Sequence, residues 1–182
     1  YSRHKVAAER ILDRFEARTD VVVTRVRPGI VGQARAGSAL LRYGVPALVP
    51  ARVVRALPVL PLDADVEISM VHADDVADAL ARIVANRAPG PFNLAAGSVT
   101  ADQVAEALGA RRVPLPTGVL RAVASVTWHL RLQPVDPGWI DLATQVQVLD
   151  STRAGTELGW SPRRAAPEVL AEVVAGMASA DH

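Results

Sequence analysis

The chain has 182 residues, half of them hydrophobic, and its 20 Lys or Arg and 19 Asp or Glu give a net charge of +1. That composition excludes a disordered chain, provides enough apolar residues for one domain with a core, and argues against a strongly basic nucleic-acid-binding protein. The absence of cysteine excludes disulfides, thiolate catalysis and cysteine-ligated zinc, and it fits a cytoplasmic protein.

The apolar pattern predicts strands that alternate with helices early in the chain and mostly helices later, which is an α/β arrangement. The predicted elements are, in order, a helix at 2–18, a buried strand at 21–26, an irregular apolar loop at 44–65, a strand at 67–72, a helix capped by Asp74 or Asp75, a strand at 92–94, a helix with a capping box of Thr100 and Gln103, an extended piece at 111–115, a helix at 117–132, a short helix capped by Ser151, and a last helix opened by Pro167. No apolar run approaches the roughly 18 residues that a membrane span needs, so no membrane partner is expected.

Tyr1 and Lys5, the only lysine, are four residues apart at the start of the first predicted helix. This spacing places both side chains on one helix face. A free tyrosine has a pKa near 10, and a nearby ammonium lowers the pKa of the phenol by favouring the phenolate. Such a pair can exchange a proton with a carbonyl or an alcohol. The alternative is that the spacing is a coincidence.

A glycine-containing turn, residues 27–33, follows the first predicted strand. The carboxyl end of a strand is where open α/β sheets bind ligands. This position predicts a ligand-facing turn, with a plain turn as the alternative. It is not a dinucleotide phosphate loop, because the spacing of Gly29, Gly32 and Gly37 does not match that motif.

The remaining polar residues predict little chemistry. His72 is interpreted as a partly buried core residue, and no spacing of His or carboxylates predicts a metal site. The three tryptophans are expected to pack rather than to stack on a ligand. Residues 111–112 and 163–164 are arginine pairs, interpreted as solvated charges, with phosphate binding by either pair as the alternative.

Five segments in the right order resemble the extended branch of the short-chain dehydrogenases/reductases, the NAD-dependent epimerase/dehydratases. They are 1–5 (YSRHK, similar to Tyr-x-x-x-Lys), 27–32 (RPGIVG, similar to R-P-x-x-V-Y-G), 70–77 (MVHADDVA, similar to V-H-V-D-D-V-A), 92–95 (FNLA, similar to F-N-L-G) and 150–162 (DSTRA and LGWSP, similar to D-x-x-K-A and L-G-W-x-P). The resemblance implies the C-terminal half of a Rossmann-type parallel sheet at 1–96, with a substrate loop at 33–66. A small mixed, mostly helical substrate-binding region would follow at 97–182.

The resemblance also implies roles for individual residues. Tyr1 would be the catalytic acid and base, and Lys5 would assist it and hydrogen-bond the nicotinamide ribose. The implied residues that bind NAD or NADP are Lys5, Pro28, Gly29, Ile30 and Val31. The residues expected to face a small-molecule substrate are Gln33 and Arg112. Gln33 departs from the family pattern, in which a proline is common after the glycine.

The family's N-terminal half carries the glycine-rich pyrophosphate loop, which the sequence lacks because it begins at Tyr1. The chain is therefore expected to be the C-terminal part of an NAD(P)-dependent epimerase, dehydratase or reductase, inactive alone. The resemblance further implies a homodimer through the helix that starts at Tyr1. Two alternatives stay open: a non-catalytic nucleotide-sensing or partner-binding relative on the same fold, and an independent small binding domain.

Overall fold

A computed structural model describes residues 2–36, 58–129 and 148–179. The helices of these ranges are α1 (Ser2–Glu16), α2 (Ala73–Asn86), α3 (Ala101–Ala107), α4 (Thr117–His129), α5 (Thr152–Leu158) and α6 (Ala166–Ser179), with a 3-10 turn at Ala34–Ala36. The strands are β1 (Thr24–Pro28), β2 (Ile30–Gly32), β3 (Val59–Leu62), β4 (Glu67–His72), β5 (Gly90–Leu94), β6 (Ser98–Thr100) and β7 (Arg111–Pro114). None of the helices in these ranges combines the length and apolarity required to cross a bilayer.

The strand pairs are mostly parallel, and the chain changes strand partner at Gly29. Before this residue β1 pairs with β5, and after it β2 pairs with β4, both in parallel. A Cβ atom at Gly29 would lie 2.5 Å from the carbonyl oxygen of Ser69, so glycine is needed at this close approach. Strand β6 adds to β4 in antiparallel fashion, and β3 pairs in parallel with β7.

Two apolar clusters form the core. The larger one joins β4 and β5 to α2 and α5, and Val26 of β1 packs against it; its buried members are Val71, Ala79, Ile83, Ala88, Phe92, Leu94, Ala154, Leu158 and Trp160. The smaller one lies under α6 and consists of Met70, Val99, Ala166 and Val169. The packing role predicted for the tryptophans is confirmed for Trp160, whose indole N–H donates to the carbonyl oxygen of Asp75 at 2.9 Å. Trp128 on α4 is 39% exposed, and Trp139 lies outside the described residues.

Ion pairs attach helix α1 to β1. The side chain of Arg25 is only 10% exposed, and its guanidinium lies 2.6 Å from Asp13 and 3.1 Å from Glu16. The predicted helix is confirmed, but Ile11 and Phe15 of its apolar stripe are 57% and 45% exposed. This stripe therefore does not contribute to the core of the described ranges.

Two strand predictions need correction. The predicted buried strand at 21–26 is wrong at its start, because pairing with β5 begins only at Thr24 and Val21 and Val22 are exposed. The predicted irregular loop at 44–65 contains a strand, since Val59–Leu62 pairs with the distant β7. The other part of that prediction, at 44–57, lies outside the described residues.

The predicted helix caps have mixed outcomes. The capping box of α3 is confirmed, with Thr100 and Gln103 each accepting the other's backbone N–H. The cap predicted at Asp74 or Asp75 is wrong, because α2 begins earlier and the ring of His72 accepts the N–H of Asp74 at 3.1 Å.

The start of α5 also differs from the prediction. The hydroxyl of Ser151 does not cap the helix but accepts the N–H of Ala95 at 2.8 Å. The N–H of Thr152 is instead accepted by the carboxylate of Asp150, also at 2.8 Å. These bonds tie the start of α5 to the chain after β5. Helix α6 begins one residue before the predicted Pro167.

Candidate functional site

The predicted cofactor segment lies where the parallel strands end. Residues 28–31 form the junction between β1 and β2, and Gln33 follows β2 directly. The last residues of β2 and β4 are paired, so the two carboxyl ends lie side by side. This is the edge at which open α/β sheets bind ligands. Ile30 and Val31 are 42% and 39% exposed there, and Gln33 is exposed as well.

An ion pair between Arg27 and Glu9 holds helix α1 against the end of β1. The guanidinium of Arg27 donates to both carboxylate oxygens of Glu9, with Nε 2.8 Å from Oε1 and Nη2 bonded to Oε2. The hydrogen bond from Arg27 holds the pKa of Glu9 below its usual value. Two parallel bonds from a planar guanidinium define an orientation as well as a distance. Sequence analysis missed this pair. The available signal was that Glu9 follows Lys5 by four residues and therefore lies on the same helix face.

These contacts indicate where Lys5 lies relative to the residues of β1. Helix α1 runs antiparallel to β1, because Glu9 is bonded to Arg27 while the acids farther along α1 are bonded to the arginine nearer the start of β1. Four helical residues rise about 6 Å, which matches two strand residues. Continuation of this register along a straight helix and strand brings Lys5, four residues before Glu9, towards the level of Gly29. The predicted catalytic Tyr1 lies outside the described residues.

The buried side chain of His72 lies at the same edge, at the end of β4. Its ring is 3% exposed, Nδ1 faces the N–H of Asp74 at 3.1 Å and Nη1 of Arg164 at 2.6 Å, and Nε2 lies 3.3 Å from Glu172. Asp74 Oδ2 also lies 3.4 Å from Nδ1, so the ring is held by contacts at both of its nitrogens. The prediction of a buried, hydrogen-bonded histidine is confirmed, whereas Arg164 joins this network instead of being only solvated. Across the three described ranges, no group of three or more potential metal ligands is brought together.

Arg112, the other predicted substrate residue, lies on β7 in the separate β3–β7 pair. Its guanidinium is bonded to both carboxylate oxygens of Asp102, at 2.5 and 3.4 Å, which raises the pKa of Arg112. Beside it, Asp63 accepts the N–H and hydroxyl of Thr117 at 2.7 and 2.6 Å and so holds the start of α4. Within the Arg112 guanidinium, Nη1 is buried and has no hydrogen-bond partner. Substrate binding by Arg112 stays a prediction.

Comparisons with known proteins show the fold. No protein-family model matches the chain. Solved structures similar to it include the UDP-glucose 4-epimerase of Thermotoga maritima with UDP-glucose (18% identity, TM-score 0.65) and that of Thermus thermophilus with NAD (21% identity, TM-score 0.63). The fold is of the Rossmann type. The predicted fold class is thereby confirmed, while the predicted division at residue 96 stays a prediction.

The matched regions make up a large share of this chain but a smaller share of the proteins that it matches. The chain is covered over 98% and 99% of its length by these epimerases but spans only 53% and 54% of theirs. Uncharacterised proteins of Mycobacterium tuberculosis and Mycobacterium bovis are 34% identical over 119 residues, which are 63% of this chain and 13% of those proteins. The chain therefore spans about half the length of these epimerases and a small part of the mycobacterial proteins.

Proposed function

We propose that the chain is the C-terminal part of an NAD(P)-dependent epimerase, dehydratase or reductase of the extended short-chain dehydrogenase/reductase type. The observation that carries the proposal is the register between α1 and β1, whose continuation brings Lys5 towards Gly29 at the carboxyl end of β1. Tyr1 precedes Lys5 by the spacing that places two side chains on one helix face. The chain alone is expected to be inactive, and a cytoplasmic location stays a prediction from its cysteine-free composition.

The residues at this edge fit a nicotinamide cofactor. Ile30 and Val31 point to opposite faces of β2 and are both partly exposed, so either one offers an apolar surface for a flat ring. In the proposed site Lys5 supplies an ammonium for a ribose hydroxyl and for the Tyr1 phenol. When bound, NAD or NADP exchanges a hydride with a substrate carbon. In the proposed reaction Tyr1 gives a proton to the substrate oxygen or takes one from it. Gln33 faces the substrate.

The similar solved structures suggest which probes to use first. Those of Thermotoga maritima and Thermus thermophilus hold UDP-glucose and NAD, respectively. NADH and UDP-glucose are therefore the first probes for this protein. A nucleotide sugar, a small carbonyl compound and a steroid-like alcohol all remain in the substrate panel.

Replacement of Lys5 tests the cofactor site. In the natural full-length protein, we expect Lys5→Met to weaken NADH binding about tenfold or more, because it removes a charged hydrogen-bond donor. Fluorescence titration with NADH measures the effect. Arg14→Met, which removes a charge nine residues along α1 and so from its opposite face, is the control and should keep wild-type affinity.

Three outcomes separate the readings. Failure of the wild-type protein to bind NADH or NADPH contradicts the proposed function. Binding without turnover of any compound in the panel favours the non-catalytic nucleotide-sensing relative. Equal losses of affinity in the Lys5 and Arg14 variants would show that Lys5 acts only through the overall charge.

The exposed apolar stripe of α1 supports a homodimer through this helix. Ile11 and Phe15, four residues apart on one face of α1, are 57% and 45% exposed. We expect the full-length protein to be a dimer by light scattering and Ile11→Asp to shift it to the monomer, because a charge would be buried unpaired. Val84→Asp on α2, a position that is 76% exposed, is the control and should leave the dimer intact. A monomeric wild type would contradict this part of the proposal.

A further inference from the structure

We propose that the C-terminal helix α6 is the positioning element for Gln33, and that Gly176 and Glu172 are the residues through which it acts. The inference rests on the proposed function in one respect, the contact of Gln33 with substrate. The structural part stands on its own, because α6 holds the backbone on both sides of Gln33.

On the side before Gln33, α6 packs directly on Gly32. A Cβ atom at this position would overlap Val169 Cγ1 and lie 3.0 Å from Val173 Cγ2. Both valines are fully or almost fully buried. The last residue of β2 is thus held between its strand partner and the helix, with no room for a side chain.

On the side after Gln33, α6 holds Ala34 in two ways. The N–H of Ala34 donates to Oε1 of Glu172 at 3.2 Å, although 138 residues separate them in sequence. One turn farther along, a Cβ atom at Gly176 would overlap the carbonyl oxygen of Ala34. The helix backbone and the 3-10 turn therefore touch each other directly.

The four contact positions of α6 form one face of the helix. Val169, Glu172, Val173 and Gly176 follow the spacing of three and four residues that aligns side chains along a helix. This face combines a glycine, two small β-branched residues and one acceptor. It therefore suits the close approach of the backbone at Gly32 and Ala34, with the acceptor available for the N–H of Ala34. The substrate side chain of the site, Gln33, projects from a backbone that this face fixes.

Glu172 is itself held by the network at the end of β4. It accepts from Nε2 of His72 at 3.3 Å, and Arg164 Nε lies 3.8 Å from its other oxygen. The hydrogen bond from His72 lowers the pKa of Glu172, and the N–H of Ala34 adds to this. The carboxylate that receives the Ala34 N–H is thus oriented by two side chains from elsewhere, as expected for a group that positions others.

The first arm of the test is amide hydrogen exchange of the natural full-length protein. We expect Gly176→Ala and Glu172→Ala each to accelerate exchange at Ala34 about tenfold or more, while Val71 in β4 stays protected. Glu172→Gln keeps a carbonyl oxygen for the Ala34 N–H and should restore slow exchange. Gly155→Ala, where the new Cβ would meet Trp160 only at 3.6 Å, is the control.

The second arm measures steady-state kinetics with UDP-glucose and titration with NADH. We expect Gly176→Ala and Glu172→Ala to raise KM for UDP-glucose about tenfold and to leave NADH affinity unchanged, because Gln33 is displaced while residues 28–31 are not. A merely structural defect would lower the amount of active protein, and hence kcat, without changing KM.

The outcomes distinguish this inference from the proposed function. Unchanged Ala34 exchange in both variants overturns the inference, and so does altered exchange with an unaltered KM. A wild-type protein that binds neither NADH nor NADPH contradicts the proposed function and, with it, the substrate role of Gln33, while hydrogen exchange at Ala34 still tests the positioning by α6. Unfolding of Gly176→Ala leaves Glu172→Ala, with its glutamine rescue, to decide.

Discussion

Replacing Tyr1 with phenylalanine in the natural full-length protein is expected to reduce turnover by about 10²- to 10⁴-fold, the range that a positioned acid and base contributes. The substitution removes the hydroxyl and keeps the ring. Affinity for NADH should stay near the wild-type value, because cofactor binding is assigned to Lys5 and to residues 28–31. Steady-state turnover and NADH titration on the same preparation measure both quantities.

The comparison of the Tyr1 and Lys5 variants sharpens this prediction. Lys5→Met should lower both turnover and NADH affinity, since in the proposed function the ammonium serves the phenol and the ribose. Tyr1→Phe should lower turnover alone. Turnover close to wild type in Tyr1→Phe would show that another group moves the proton, and a parallel loss of NADH affinity would show that Tyr1 holds the cofactor.

Replacing Gly29 with alanine is expected to damage both stability and activity. The new Cβ would lie 2.5 Å from the carbonyl oxygen of Ser69 and 2.8 Å from its carbonyl carbon, and neither backbone atom can rotate away. Overpacking of this kind costs about 1–3 kcal/mol of the free energy of unfolding. A displacement of the β1–β2 junction should lower turnover by up to about 10²-fold. Urea unfolding and steady-state kinetics measure the two effects.

A matched glycine substitution separates the steric effect from a general intolerance of alanine. Gly118 lies in the first turn of α4, and a Cβ atom there would meet nothing within 4 Å. Gly118→Ala should leave activity unchanged and slightly raise stability, because alanine favours the helix by roughly 1 kcal/mol over glycine. Wild-type stability and activity in Gly29→Ala would mean that β2 and β4 can separate without cost.

Elements whose signals are local could be predicted from the sequence. The capping box of α3 depends on two residues three positions apart, and both of its hydrogen bonds are present. Strand β4 and the helix that follows it also form where their apolar patterns indicate. Strand β3 could not be predicted, because it forms by pairing Val59 with Arg111, a residue far along the chain. The cap by His72 depends on how its buried ring is held by other elements.

The same distinction applies to the site. Lys5 and residues 28–31 were identified from local spacing and from the resemblance to a family. Their relative position depends on the register of α1 on β1. The ion pair between Arg27 and Glu9 determines this register, and no local sequence pattern encodes it. The approach of Gly176 to Ala34 is equally a property of tertiary packing. Sequence analysis did not identify it, although a glycine within a helix can mark a position where a backbone comes close.

The long separation between Ala34 and its acceptor has a consequence for biosynthesis. The hydrogen bond to Glu172 spans 138 residues, and ribosomes add about 5–20 residues per second, so the acceptor emerges about 7–30 s after the donor. Strands β1 and β5, by contrast, are both made well before that time. A nascent chain can therefore pair these strands early, while the backbone that carries Gln33 waits for α6 to be translated. The order of synthesis thus makes this part of the site assemble after the β1–β5 pair.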